Sequence, residues 1–213
     1  MQDILKKIGQ LGIVPVIKID DVENAVPLAK ALCDGGLPCA EITFRTDAAE
    51  ESIRRITKEL PHMLVGAGTV LTTEQADRAL AAGAKFMVSP GMNPKVVQHC
   101  IDKGVLITPG CVSPSDIERA IELGLDVVKF FPAEQAGGLA YIKACAAPYP
   151  GLHFIPTGGI NAGNIGKYIA FSKVSACGGS WMVRKELIDG SNFDEITRLC
   201  KESIQIVRDI RNK

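Results

Sequence analysis

The sequence has few of the features that mark secreted, membrane-embedded or nucleic-acid-binding proteins. Its N-terminal segment MQDILKKIGQLG lacks the uninterrupted apolar stretch of a signal peptide, and no run approaches the roughly 18 apolar residues that a membrane span needs. Lys and Arg together number 24, and Asp and Glu together also number 24. This balance gives no support to binding of nucleic acid or of an anionic membrane surface. We therefore expect a cytoplasmic protein whose partners include neither.

Paired cysteines and clustered histidines are also missing. The seven cysteines are scattered, with no CxxC pair, which is typical of small packing residues in a reducing compartment. The three histidines, His62, His99 and His153, form no HxH or HxxxH pair. Because metal sites in enzymes usually need such clusters, the sequence disfavours a metal-dependent mechanism, and we expect no metal and no other cofactor.

What the sequence does have is eight short apolar runs separated by stretches with helical spacing. The runs cover residues 13–18, 39–44, 63–69, 85–90, 105–110, 126–132, 153–159 and 174–180. Several intervening stretches open on Asp, Thr, Ser or Asn and close on Gly, as capped helices do. Strands that alternate with helices pair in parallel, and eight such units close a barrel. The sequence therefore predicts an α/β fold, a (β/α)8 TIM barrel in which residues 1–213 form a single domain.

Two further segments have amphipathic helical patterns. Residues 3–12, before the first run, predict an extra N-terminal helix that caps the barrel floor, and residues 193–210 predict a last helix that packs on the barrel. A doubly wound open sheet is the main alternative to a barrel. No GxGxxG follows an early strand to support that alternative.

Polar residues interrupt the apolar pattern near the end of several runs. In a barrel the active site lies at the carboxyl ends of the strands, so these interruptions all face one mouth. Glu41, Thr43 and Arg45 occupy alternate positions, which places them on one face of their strand. Taken alone, a glutamate or an arginine near a strand end is more often solvated or salt-bridged than catalytic. Their convergence on one mouth favours a functional role.

The run DVVKFFPAE contains a lysine, Lys129, inside a strand that is otherwise apolar. Burial disfavours the charged ammonium form and favours a neutral amine, which is a nucleophile toward ketones. This is the chemistry of a class I aldolase, in which Glu41 would shuttle protons and Arg45 would hold a substrate carboxylate or phosphate. Two structural alternatives stay open at this point, because Lys129 could extend to the rim or form a buried ion pair with Glu41.

Two glycine-rich turns follow the last two runs. The segments TGG at 157–159 and GGS at 178–180 place exposed backbone N–H groups and helix N-termini where phosphate-binding barrels commonly hold phosphate. The alternative is a pair of ordinary tight turns. The pattern suggests a site for a phosphate or a carboxylate.

Several strings, taken in order, resemble those of a known family. EITFRT, VGAGTV, SPG, VKFFPAE, PTGGI and GGSW are similar to segments of the 2-keto-3-deoxy-6-phosphogluconate (KDPG) aldolases, which also act as 4-hydroxy-2-oxoglutarate (KHG) aldolases. The resemblance extends over essentially the whole chain. It implies a lyase of the Entner–Doudoroff pathway that acts on a small 2-keto acid, usually as a homotrimer.

The resemblance also implies roles for particular residues. Lys129 would be the Schiff-base lysine, with the imine formed on it in place of a cofactor, and Glu41 the general acid and base. The remaining substrate-binding residues would be Arg45 and Thr69 for the pyruvate carboxylate, Pro90 and Phe131 for the pocket wall, Thr157 beside the reacting carbon, and Gly158, Gly159, Gly179 and Ser180 for the phosphate. We assign no role to Cys111, because the loop around it varies within the family.

Two alternative functions stay open. One is a sister aldolase that uses the galactonate epimer or an unphosphorylated 2-keto acid. The other is a catalytically silent barrel that binds sugar phosphates as a sensor. The first would differ in substrate preference and the second would form no imine.

Overall fold

Eight parallel strands alternate with helices along the chain. A computed structural model describes residues 1–212. The strands are β1 Ile13–Ile17, β2 Cys39–Thr43, β3 Leu64–Gly68, β4 Phe86–Val88, β5 Leu106–Thr108, β6 Val127–Phe130, β7 His153–Pro156 and β8 Cys177–Gly179. The helices are α1 Gln2–Leu11, α2 Ala25–Asp34, α3 Ala48–Glu59, α4 Thr73–Ala81, α5 Pro94–Asp102, α6 Pro114–Glu122, α7 Gly138–Ala146, α8 Ile165–Ile169, α9 Lys185–Asp189 and α10 Phe193–Arg211.

The strands form a curled parallel sheet. Six of them are hydrogen-bonded in the order β5-β4-β3-β2-β1-β8, and β6 pairs with β7. Isolated parallel bridges join this pair to both edges of the six-stranded sheet, from Gly110 to Lys129 on one side and from Thr157 to Gly178 on the other. The predicted α/β fold with parallel strands is confirmed, and each of the eight predicted runs contains one strand.

The concave side of the curled sheet is apolar toward the amino-terminal ends of the strands. We call this set of buried side chains the floor cluster: Ile8, Val14, Cys39, Leu64, Phe86, Val88, Leu106, Val127, Ile155 and Ala176. Helix α1 contributes Ile8 and packs Ile4, Leu5 and Leu11 against the cluster. This contact follows from the amphipathic pattern of residues 3–12, which places apolar side chains on one helix face.

The outer faces of the strands pack against the helices, and α4, α5 and α6 begin at residues whose side chains cap them. The Ser113 side chain accepts a hydrogen bond from the Asp116 N–H, and the Asp116 side chain accepts one from the Ser113 N–H, which forms a capping box at α6. Thr72 and Asn93 cap α4 and α5 in a similar way. These capping residues fix where α4, α5 and α6 begin after the preceding strand.

The last helix, α10, packs against α2 and α8, as its periodicity predicts. Ile196, Cys200, Ile204 and Val207 are buried on one side of it. At residues 1–212 no helix has the length and apolar character needed to cross a bilayer.

Candidate active site

A cavity of about 200 Å³ opens at the carboxyl ends of the strands. We call it the mouth cavity. It is lined by Val16, Glu41, Thr43, Arg45, Thr69, Pro90, Lys129, Phe131, Thr157, Gly158, Gly159, Ile160, Gly178, Gly179 and Ser180. The structure therefore brings together all of the site residues that the sequence suggested. Sequence reasoning missed Val16 and Ile160, although the period of two along β1 indicates that Val16 faces inward with Val14.

Strand β6 shows why a lysine occurs inside an apolar segment. Val128 and Phe130 belong to the core between strands and helices, whereas Val127 belongs to the floor cluster. Because side chains alternate along a strand, Lys129 faces the interior two residues above Val127, where the floor cluster ends and the mouth cavity begins. Its backbone is fixed by neighbouring strand ends, since its N–H donates to the Pro109 carbonyl at 3.0 Å and its carbonyl accepts from Cys111 at 2.8 Å.

Lys129 and Glu41 face each other inside the cavity. Their side chains are 7% and 4% exposed, and Lys129 Nζ lies 3.5 Å from Glu41 Oε1. The Phe131 ring centroid lies 5.2 Å from the same Nζ. Of the two structural alternatives for Lys129, the structure contains the buried pair with Glu41 and excludes extension of the side chain to the rim. The pair also places a carboxylate within reach of any group formed on the amine.

The position of the Glu41 carboxylate depends on a glycine in the next strand. Strands β2 and β3 pair in register, with Glu41 opposite Gly66 and Thr43 opposite Gly68. A Cβ atom on Gly68 would lie 2.2 Å from Glu41 Oε1. Gly68 therefore leaves the volume that the carboxylate occupies.

Arg45 lies at the exposed rim of the cavity. Its Nε donates to Thr43 Oγ1 at 3.0 Å, and the Thr43 hydroxyl donates to the Ile17 carbonyl at 2.8 Å. These two successive hydrogen bonds connect the guanidinium to the backbone of β1 and fix its Nε edge. The rest of the planar group has the geometry for bidentate contact with a carboxylate or phosphate.

Thr69 adopts an unusual backbone conformation at the end of β3. Its φ of 56° lies in the left-handed region, which a β-branched residue rarely occupies. Such strain is found most often at functional sites, where the surrounding structure holds it in place. Thr69 and Pro90, from the ends of adjacent strands, line the same cavity.

The two glycine turns lie side by side, since Thr157 of one is joined by a parallel bridge to Gly178 of the other. Gly158 and Gly159 have φ of 101° and 76°, two successive values that only glycine adopts readily. A Cβ atom on Gly178 would lie 2.2 Å from Thr157 Oγ1, so Gly178 makes room for that hydroxyl. The structure differs from the sequence expectation on one point. The helix N-termini do not lie at the turns, because α8 begins only at Ile165 and α9 only at Lys185.

The histidines and Cys111 lie apart from this chemistry. His62 precedes β3 and His153 begins β7, so both are at the floor end of the strands. Across residues 1–212 no three His, Cys, Asp or Glu side chains cluster in a way that could hold a metal ion. Cys111 is fully buried, and burial, together with the nearby Asp116 charge, raises the pKa of its thiol to about 12. A thiol in that state is a packing group and not a nucleophile.

Comparison with known proteins gives a consistent result. Residues 4–199 match the model of the family "Aldolase: KDPG and KHG aldolase". The 2-dehydro-3-deoxy-phosphogluconate aldolase of Treponema pallidum is 51% identical over 207 residues, which are 97% of this chain and 99% of the relative. The KHG/KDPG aldolase of Escherichia coli K12 is 39% identical over 193 residues, which are 91% of each chain.

Solved structures are similar over the same extent. A crystal structure of KDPG aldolase from Legionella pneumophila matches with a TM-score of 0.90 and 37% sequence identity, covering 93% of this chain and 96% of the other. That protein was captured with pyruvate as a covalent carbinolamine intermediate.

Proposed function

The chain belongs to the KDPG and KHG aldolase family, and from this premise we propose that it is a class I aldolase. It cleaves KDPG to pyruvate and D-glyceraldehyde 3-phosphate, and it also cleaves KHG to pyruvate and glyoxylate. The observation that carries the proposal is the Lys129 amine, buried in a parallel strand with its Nζ 3.5 Å from the Glu41 carboxylate. The relatives with these activities support the choice of substrates.

Lys129 is the nucleophile in this proposal. Its neutral amine attacks the C2 ketone to form a carbinolamine, which loses water to give a protonated imine. The imine nitrogen then accepts the electron pair of the C3–C4 bond as that bond breaks, which leaves an enamine. Protonation of the enamine at C3, by the proton that Glu41 has taken from the C4 hydroxyl, gives the pyruvate imine. Hydrolysis of the pyruvate imine returns the free amine. The covalent imine makes a metal or organic cofactor unnecessary.

Glu41 moves the protons that these steps require. It donates to the carbinolamine hydroxyl, which leaves as water, and it then accepts the proton of the C4 hydroxyl as the aldehyde forms. The 3.5 Å separation of Glu41 Oε1 from Lys129 Nζ supports this role. In the imine, C2 of the substrate is bonded to Nζ, and C3 and C4 follow C2 along the substrate chain. The buried site keeps bulk water away from the intermediate.

Other cavity residues bind the two ends of the substrate. Arg45 and Thr69 hold the pyruvate carboxylate, and Pro90 and Phe131 form the wall beside the three-carbon unit. Thr157 contacts the carbon whose configuration is set during cleavage. The phosphate binds to the backbone of the two glycine turns at Gly158, Gly159, Gly179 and Ser180. Their common lining of one cavity supports these assignments.

We extend the proposal to the architecture of the whole chain. The described residues 1–212 form one closed (β/α)8 TIM barrel with an extra N-terminal helix, α1, across its floor, and residue 213 of the expected domain lies outside the described residues. The isolated bridges on both sides of the β6-β7 pair support closure. The homotrimer and the cytoplasmic location stay predictions that rest on the family resemblance and on a phosphorylated metabolic substrate. Analytical ultracentrifugation tests the trimer.

Trapping of the imine tests the mechanism. Incubation with pyruvate and borohydride should add one reduced pyruvyl group to Lys129, identified by peptide mass spectrometry. A reaction without pyruvate is the control. Absence of an adduct, or an adduct on another lysine, would contradict the proposal and would instead favour a silent sugar-phosphate-binding barrel.

Substrate comparison tests the assignment of KDPG. The value of kcat/KM should be higher for KDPG than for its galactonate epimer and for the unphosphorylated analogue, because a phosphate site contributes transition-state binding. Equal or higher values for either competitor would identify the chain as a sister aldolase.

A further inference from the structure

Glu134 lies outside the mouth cavity, but its contacts reach the glycine turn that lines it. The residue is the last of the string VKFFPAE and belongs to the loop between β6 and α7. The proposed mechanism gives it no role. Its backbone and its side chain both hold the segment Thr157 to Gly159 from the side opposite the cavity.

The backbone contacts determine where the turn directs its N–H groups. The Ala133 N–H donates to the Thr157 carbonyl at 2.8 Å, and the Glu134 N–H donates to the Gly158 carbonyl at 3.1 Å. In a trans peptide the carbonyl and the following N–H point in opposite directions. The N–H groups of Gly158 and Gly159 therefore point away from Ala133 and Glu134, and both glycines line the mouth cavity. Two successive N–H groups so arranged form an anion-binding nest.

The Glu134 side chain anchors this arrangement. The buried Tyr168 of α8 donates its hydroxyl to Glu134 Oε1, and Lys167 Nζ lies 3.1 Å from the same oxygen. The hydrogen bond from Tyr168 is the main reason why the pKa of Glu134 lies below its ordinary value, and Lys167 lowers it further. Burial raises the pKa of Tyr168 above its ordinary value. The carboxylate therefore stays charged and the phenol stays a donor at neutral pH.

The aliphatic part of Glu134 also packs on the turn. A Cβ atom on Gly159 would lie 2.7 Å from Glu134 Cβ and 2.8 Å from its Cγ. The β6 loop therefore contacts the turn through two backbone hydrogen bonds and through the Glu134 side chain, and Tyr168 of α8 holds that side chain.

We infer that Glu134 and Tyr168 are positioning residues, which hold the Gly158 and Gly159 N–H groups in the geometry that binds the substrate phosphate. The inference rests on the proposed function for the identity of that substrate. It has a specific consequence, because KHG carries no phosphate. Loss of the Tyr168 to Glu134 hydrogen bond should therefore impair cleavage of KDPG and leave cleavage of KHG nearly unchanged.

Steady-state kinetics with both substrates test the inference. For Tyr168→Phe and Glu134→Ala, kcat/KM for KDPG should fall about tenfold and kcat/KM for KHG should change by less than about twofold. Glu134→Gln keeps an acceptor for Tyr168 and should recover most of the loss. Tyr149→Phe is the matched control, since it removes a tyrosine to glutamate hydrogen bond of 3.0 Å, to Glu118, on the exposed surface. Equal losses on both substrates, or no loss on KDPG, would overturn the inference.

Calorimetric titration with inorganic phosphate decides the same point without turnover. The Kd for phosphate should rise about tenfold in Tyr168→Phe and stay unchanged in Tyr149→Phe, with the unfolding temperature of each variant as a check on folding. If the wild-type protein formed no imine but the phosphate Kd changed in this way, the proposed function would fail and the positioning role would stand. An unchanged phosphate Kd in Tyr168→Phe would overturn the positioning role itself.

Discussion

The floor cluster and the mouth cavity are built from the same strands but differ in chemistry. Along β2, buried Cys39 and Glu41 are two positions apart, and along β6 Val127 and Lys129 are also two positions apart. Residues two positions apart in a strand point to the same face of the sheet. The change from apolar to polar side chains on this face therefore occurs between one such residue and the next. The floor supplies stability through burial. The mouth brings two ionisable groups, Lys129 and Glu41, together in a buried cavity, which is typical of active sites.

The two regions use glycines of β3 in the same way. A Cβ atom on Gly66 would lie 2.4 Å from the Phe86 ring of the floor cluster, and one on Gly68 would lie 2.2 Å from Glu41 Oε1 of the mouth. Each glycine leaves space for a larger group. At the floor that space holds an aromatic ring, and at the mouth it holds a carboxylate.

Replacement of Lys129 by methionine should have the largest effect on activity, because it puts an apolar side chain, like those of the floor cluster, in place of the reactive amine. We expect kcat to fall by at least about 10³-fold, since the nucleophile is lost. The fold should persist, but Glu41 would lose its buried partner at a cost of about 1–3 kcal/mol in the free energy of unfolding. Turnover assays and urea denaturation measure the two effects.

The double variant Lys129→Met with Glu41→Gln serves as the control for that prediction. It should be as inactive as the single variant and more stable, because it removes the unpaired carboxylate. Residual turnover by Lys129→Met near the wild-type rate would show that another group forms the imine.

Alanine substitutions at the two β3 glycines should affect different properties, activity at the mouth and stability at the floor. Gly68→Ala should lower kcat about 10- to 100-fold, because it displaces the Glu41 carboxylate from its position beside Lys129. Gly66→Ala should lower the free energy of unfolding by about 1–3 kcal/mol, because the Phe86 ring must move, and its kcat should stay nearer the wild-type value. Loss of activity larger in Gly66→Ala than in Gly68→Ala would contradict the division between floor and mouth.

Replacement of Thr69 by asparagine should have the smallest effect on stability, and it should stabilise the protein where the preceding single substitutions destabilise it. Asparagine tolerates φ near 56°, so the free energy of unfolding should rise by about 0.5–1 kcal/mol. The KM for KDPG should rise at the same time, because the hydroxyl proposed to contact the carboxylate is lost. Differential scanning calorimetry and steady-state kinetics measure the pair. A drop in stability would mean that Thr69 is not strained.

Much of the fold and the site could be predicted from sequence. The eight apolar runs gave the strands, because parallel strands covered on both faces need continuous apolar residues. Lys129 and Glu41 were identifiable because a charge in such a run is costly unless it has a function or a partner. Val16 and Ile160 were missed, since an apolar residue that lines a cavity has the same sequence signature as one in the core.

The sequence by itself determined the strand order along the chain, the alternation that turns Glu41 and Lys129 inward, and the family to which the chain is similar. These are local properties, which depend on the period of two in a strand and on the residue types along it. Only the tertiary structure decided the 3.5 Å separation of Lys129 Nζ and Glu41 Oε1, and the contact of Glu134 with Tyr168 and the glycine turn. Such distances join residues far apart in the chain, so they depend on how the sheet curls and on which small residues leave space between strands.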